Sequence, residues 1–166
     1  MLPGKPRTLG CLLSICVLSA AAIQAGQMVP FKGTWTGVTI AADDGNFPII
    51  AVISEGDGQI TQLGQNTMIS PHTSHVFTGE TIGEQIFTAA NGDTLEAHCE
   101  GFGDPMPDGT VVGSLDCTFT SGTGRFADAT GSYEFFFVAS PRTDGGLGFE
   151  TVADINGSIS SVGRNK

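Results

Sequence analysis

Apolar and polar residues alternate with a period of two through much of the second half of the chain. Leu95, Ala97 and Cys99 interleave with Thr94, Glu96, His98 and Glu100. Leu115, Cys117 and Phe119 interleave with Ser114, Asp116, Thr118 and Thr120, and Phe149, Ala153, Ile155 and Ile159 with Glu150, Asp154, Asn156 and Ser158. A period of two marks extended chain with one buried face. Tyr133, Phe135, Phe137 and Ala139 form one face of a further run, but Phe136 and Val138 make its other face apolar too. That run predicts a strand covered from outside, by a loop or by a partner subunit.

Read along the whole chain, the pattern predicts eight or nine strands: 31–40, 49–54, 59–63, 73–78, 84–89, 94–101, 110–120, 132–140 and 149–160. Turn formers separate them, among them Asp43-Asp44-Gly45-Asn46, Glu55-Gly56-Asp57-Gly58, Asn91-Gly92-Asp93 and Thr143-Asp144-Gly145-Gly146. No helical periodicity intervenes. Strands at this spacing predict a meander-like sandwich or barrel, and closure has the advantage of removing exposed edges. The expected fold is therefore all-β: a closed antiparallel barrel of about eight strands, with 31–40 hydrogen-bonded to the final segment.

Composition agrees. The chain has 166 residues, 40% hydrophobic and 14% charged, with 24 glycines scattered between apolar runs. That suits one domain with many tight reversals. Residues 1–25 read as a secretory signal peptide, leaving 26–166 as a single barrel domain. Lys5 and Arg7 precede an apolar stretch, 11–23, that is too short to cross a bilayer, which takes about 20 residues. Small residues follow, with cleavage expected in the region 22–26. Neither Cys11 nor Cys16 has the surroundings of a lipoprotein cysteine. The expected location is secreted or periplasmic, with no membrane attachment after cleavage; a retained anchor is the alternative.

The formal charge is −10. Loss of Lys5 and Arg7 would leave 17 acids against 5 bases (7 − 2), or −12. With its remaining bases dispersed in sequence, such a polyanion is no partner for nucleic acid.

Cleavage would also leave Cys99 and Cys117 as the cysteines of the mature chain. They lie nine residues to either side of Asp108 (108 − 99 and 117 − 108), in the turn-rich segment GFGDPMPDG. A hairpin folded there sets them opposite each other, which predicts a cross-strand disulfide; two buried free thiols are the alternative. Two sulfurs without CxxC spacing do not make a metal site.

Three stretches carry a resemblance: TAANGDTL (88–95), SGTGRFADATGS (121–132) and DINGSIS (154–160). Together they resemble secreted bacterial proteins of the allene oxide cyclase-like barrel group, and GTGRF is similar to the G-T-G-[RK]-F segment of plant dirigent proteins. The resemblance implies an eight-stranded barrel with a central cavity, often oligomeric, working without a cofactor. It carries no catalytic residue over to this chain. On physical grounds Gly122, Gly124 and Gly131 supply unusual or closely packed backbone, Phe126 plugs the barrel end, and Arg125 is placed to pair with a nearby acid. A second likeness is Gly33-Thr34-Trp35, the G-x-W that opens lipocalins and avidins, with Arg164 as a candidate to stack on the indole. An avidin-type site needs several tryptophans, and Trp35 reads as core.

Candidate chemistry lies on the polar strand faces. Glu96, His98, Asp116 and Glu134 are the weak catalytic candidates, with Glu100 and Asp154 beside them. Facing inward, they would line a cavity fit for acid–base work. Facing outward, they are a solvated surface, the commoner arrangement for small barrels filled with apolar side chains. His72 and His75 are placed in a loop before a strand, and no metal site is expected. The chain carries no hydrolase, metalloprotease or phosphate-loop motif. Three readings follow: a small-molecule-binding or structural barrel of the allene oxide cyclase/dirigent-like type, a cofactor-free cyclase or isomerase, or a lipocalin-like carrier of an apolar ligand. A homo-oligomer is expected through the outer side of 132–140.

Overall fold

In the computed structural model, residues 27–42 and 45–160 are described. Eight strands form one closed barrel, in which every strand pairs antiparallel with its neighbours in sequence. They are β1 (Met28–Ala42), β2 (Ile49–Ile60), β3 (Gly64–His75), β4 (Glu80–Ala89), β5 (Thr94–Pro105), β6 (Val111–Gly122), β7 (Gly131–Pro141) and β8 (Phe149–Ser160). Closure is made by β1 and β8, with Thr34 opposite Asp154 and Phe31 opposite Gly157. The expected signal peptide, and Arg164 with its stacking role, lie outside the described residues.

Alternation sets which side chains fill the barrel. Phe31 and Trp35 of β1, Leu95, Ala97 and Cys99 of β5, Leu115, Cys117 and Phe119 of β6, and Tyr133 and Phe135 of β7 all point inward and are buried. One end is packed solid. Phe31, Phe87, Phe119 and Tyr133 meet there, with ring centroids 5.0–6.1 Å apart. The 3-10 turn Gly124–Phe126 closes that end with the fully buried Phe126 ring. Side chains in such close contact leave no room for water at that end.

Cys99 and Cys117 are register partners and form a disulfide. The segment 59–63, however, is no separate strand: β2 runs on to Ile60 through Glu55–Gly58, which the sequence marks as a turn. At Gly56 a Cβ would stand 2.1 Å from Thr36 O and 2.5 Å from Gly37 Cα. Glycine is there because two backbones touch, not because the chain reverses. β3 then spans Gly64–His75, so His72 and His75 are on a strand and not in a loop.

Candidate functional site

The reversals alternate between the two barrel ends. Those at 61–63, 90–93 and 123–130 lie at the plugged end, and those at 45–48, 76–79, 106–110 and 142–148 at the other. From this second end a cavity of about 240 Å³ enters the barrel. Its floor is Trp35, 1% exposed, whose benzo edge lies over Gly37, where a Cβ would be 2.4 Å from Cζ2. Val52, Met68, Leu115, Phe135 and Phe137 give it apolar walls. Exposed Ala41, Val76 and Pro105 are also in the lining, so it reaches the surface.

The polar groups of the lining are mostly spoken for. Thr39 Oγ1 lies 2.7 Å from Ser54 Oγ and 2.8 Å from Thr151 Oγ1, a hydroxyl chain across β2, β1 and β8. Ser74 and Thr81 pair at 2.9 Å. Tyr133 OH donates to Gln85 Oε1 at 2.8 Å. Burial, with a smaller contribution from the charge of Glu84, pushes the Tyr133 phenol well above its ordinary range, so it stays a neutral donor. Among the described residues no Asp, Glu, Lys or Arg lines the cavity. Its titratable groups are His72 and His75. Burial pulls the His72 imidazole below its ordinary value, partly opposed by its hydrogen bond to the Ser70 carbonyl.

Glu96, His98, Asp116 and Glu134 stand on the other side of the wall, on the faces opposite to buried Leu95, Ala97, Cys99, Cys117, Tyr133 and Phe135. Glu96 accepts from Ser121 Oγ at 2.6 Å, and Glu134 from Ser114 Oγ at 2.7 Å. His98 Nδ1 meets Glu84 Oε1 at 2.7 Å with both side chains nearly half exposed. Asp116 lies in register between Glu100 and Glu134, a row of carboxylates on the outer wall. These groups are not brought together around a lumen. Asp154 is likewise outward and exposed.

The 121–132 stretch is where the sequence placed it, at the plugged end. Gly124 has φ +54, and a Cβ there would meet the Asp93 carboxylate at 2.0 Å. Arg125 makes no ion pair with an acid. Its Nη2 donates to Gln62 O at 2.6 Å, and its guanidinium lies 4.7 Å from the Phe126 ring centroid. The acid nearby, Asp93, instead accepts from the Arg125 backbone N–H at 3.2 Å. Gln62 has a positive φ of 72, and its carbonyl needs a donor that a short turn does not supply. Gly131 has φ +134, and at Gly122 a Cβ would stand 2.6 Å from Phe126 O.

No family model matches the chain, and no curated protein matches its sequence. Among solved structures, that of the pterocarpan synthase dirigent protein GePTS1 is similar with a TM-score of 0.55, over 93% of this chain and 99% of that one. The fold is a dirigent-like barrel. Identity over the match is 15%, so the likeness is one of backbone and strand order. Sequence reasoning missed His72 in this dirigent-like barrel because β3 reverses the usual polarity. Its inward positions are Asn66, Met68, Ser70, His72 and Ser74, whereas Ile69 is outward. The polar inward run is the signal that a cavity, not a core, faces this strand.

Proposed function

We propose that this dirigent-like barrel is an exported binding module that takes a compact, uncharged, largely apolar molecule into its cavity. The observation that carries the reading is a lumen of about 240 Å³ walled by apolar side chains and lined by no Asp, Glu, Lys or Arg among the described residues. An apolar cavity of about 150 Å³ holds benzene, and drug-sized sites run from about 300 Å³ upward, so a one- or two-ring body is the right scale. The reading favours a binding module over a purely structural one because the lumen above Trp35 is left unfilled. A cyclase or isomerase built on Glu96, His98, Asp116 or Glu134 has lost its support, since all four side chains are outside the lumen. A disulfide suits an oxidising compartment, which supports export. We propose as well that copies associate through the outer side of β7, where no described loop covers Phe136.

The test uses 2-methoxynaphthalene, a neutral two-ring probe. It should raise the thermal midpoint in a concentration-dependent way, a ligand at 100 times Kd contributing about 2.7 kcal/mol. Leu115→Trp, which places an indole in the cavity, should remove the response while circular dichroism still reports a folded barrel. A probe that leaves the wild-type midpoint unmoved, or moves it equally in the filled variant, would overturn the proposal.

A further inference from the structure

One wall position of the cavity has an unanswered polar atom. His72 points inward from β3, and the residue opposite it on β4 is Gly83, where a Cβ would come within 2.4 Å of His72 Cβ. The glycine lets β4 approach the β3 backbone closely at His72, since the same Cβ would stand 2.5 Å from the Pro71 carbonyl oxygen. His72 Nδ1 lies 3.0 Å from the Ser70 carbonyl oxygen and 3.4 Å from Ser70 Oγ. A carbonyl oxygen can only accept, so Nδ1 carries the hydrogen of the neutral ring and Nε2 is left with a lone pair. No described residue bonds to Nε2. The Thr39–Ser54–Thr151 hydroxyls, the Ser74–Thr81 pair and Gln85 Oε1 have partners; the buried Trp35 Nε1–H at the floor has none among the described residues, but it can only donate, so His72 Nε2 is the side-chain acceptor left open in the wall.

His75, at the mouth, is fixed the other way. Its Nδ1 accepts from the backbone N–H groups of Phe77 at 3.3 Å and Thr78 at 3.2 Å. An N–H can only donate, so the hydrogen of neutral His75 sits on Nε2. Two histidines three positions apart thus present opposite polarity, an acceptor within the wall and a donor at the rim.

We propose that His72 Nε2 is the recognition point of the cavity, accepting a hydrogen bond from a hydroxyl or N–H carried by a compact apolar ligand. The inference rests on the binding role proposed above and names what that role selects. The ligand's hydrocarbon body packs on Val52, Met68, Leu115 and Phe137, and its donor turns to β3. A molecule of the same shape without the donor leaves Nε2 desolvated and unpaired, a cost that translates into weaker binding. The barrel therefore separates alcohols from their methyl ethers, although both are apolar.

The experiment compares 2-naphthol with 2-methoxynaphthalene by fluorescence titration at neutral pH. Wild-type protein should bind the naphthol about five- to tenfold more tightly, the size expected of one buried hydrogen bond. In His72→Phe the ratio should fall to about one, with the ether bound at least as tightly as before. A long-range proton–nitrogen spectrum supplies the second readout on unmutated protein: His72 should show the Nδ1-protonated pattern, and its Nε2 signal should move with the naphthol and not with the ether. Equal wild-type affinities, a preference that survives in His72→Phe, or an Nε2-protonated ring each overturn the recognition role while leaving the cavity reading standing. Failure of both probes to bind wild-type protein overturns both.

Discussion

Burial lowers the His72 pKa below that of a free imidazole, and the consequence can be read as stability. In the unfolded chain the imidazole titrates near 6.5, whereas in the cavity wall desolvation lowers its pKa and the Ser70 carbonyl restores only part of the loss. No charged side chain faces it from either adjoining strand: its register partners are Val52 on β2 and Gly83 on β4. Between the two pKa values the unfolded chain binds more protons than the native one, so stability rises with pH there. The His72 contribution is fully present above about 6.5, is lost as pH falls through the lowered native value, and is flat below it. Urea unfolding of wild-type protein and His72→Phe across this range should give a difference curve that favours the wild type progressively less from about pH 7 to pH 5. A difference that does not change with pH would mean the imidazole is solvated, and the cavity wall would have to be redrawn. Trp35 shows the complementary case. The sequence identified it as core, but its place as the floor of a cavity depends on Gly37, whose missing side chain only the folded backbone explains.

At the level of strands, the hairpin of β5 and β6 was the most legible element. Pro105, Pro107 and Asp108-Gly109 mark the reversal, the alternation on both arms is regular, and the implied register puts Cys99 opposite Cys117 as found. Local signals and tertiary contacts agree there. In β2 and β3 they conflict. Glu55-Gly56-Asp57-Gly58 has the composition of a turn, yet Gly56 is held straight by a close approach of β1, a contact no local rule contains. β3 exposes Ile69 and turns Ser70 and His72 inward, so a rule that sends apolar residues inside gives the wrong face. The fold was thus readable from its regular strands, whereas the site was not, because a cavity is lined by residues that break the core pattern. The disulfide has its own consequence. It closes a separation of 18 residues, and a loop of that length is worth about 3 kcal/mol through the entropy it removes from the unfolded chain. Cys99→Ala with Cys117→Ala should lower unfolding stability by about that amount while far-ultraviolet circular dichroism stays that of a barrel. A loss below about 1 kcal/mol would show that the unfolded hairpin is already ordered without the bond.

The molecule as a whole is polarised along the barrel and across its wall. At the cavity end, Phe47, Phe77, Met106 and Leu147 are exposed on four different reversals, and Phe47 and Phe77 meet edge to face at 5.5 Å. The reversals at the plugged end expose no large hydrophobic side chain among the described residues. On the outer wall, Phe102, Phe136 and Val152 are 58%, 44% and 53% exposed on β5, β7 and β8, with β6 between the first two. This is the face that the doubly apolar run 132–140 marked for cover, and no described loop provides it. A second copy can bury it, but each copy brings 17 acids against 7 bases, and Glu134 and Asp154 flank the patch. Apolar contact and charge repulsion therefore oppose each other. Salt decides between them, because screening shortens the range of repulsion from about 10 Å at 0.1 M to about 3 Å at 1 M and leaves apolar burial intact. Sedimentation should show self-association that strengthens as salt rises, and Phe136→Lys should abolish it at every salt concentration. Association that weakens with salt would point to a contact made through charged groups, and a variant that still associates would move the contact off β7, with the apolar collar around the cavity mouth as the next surface to substitute.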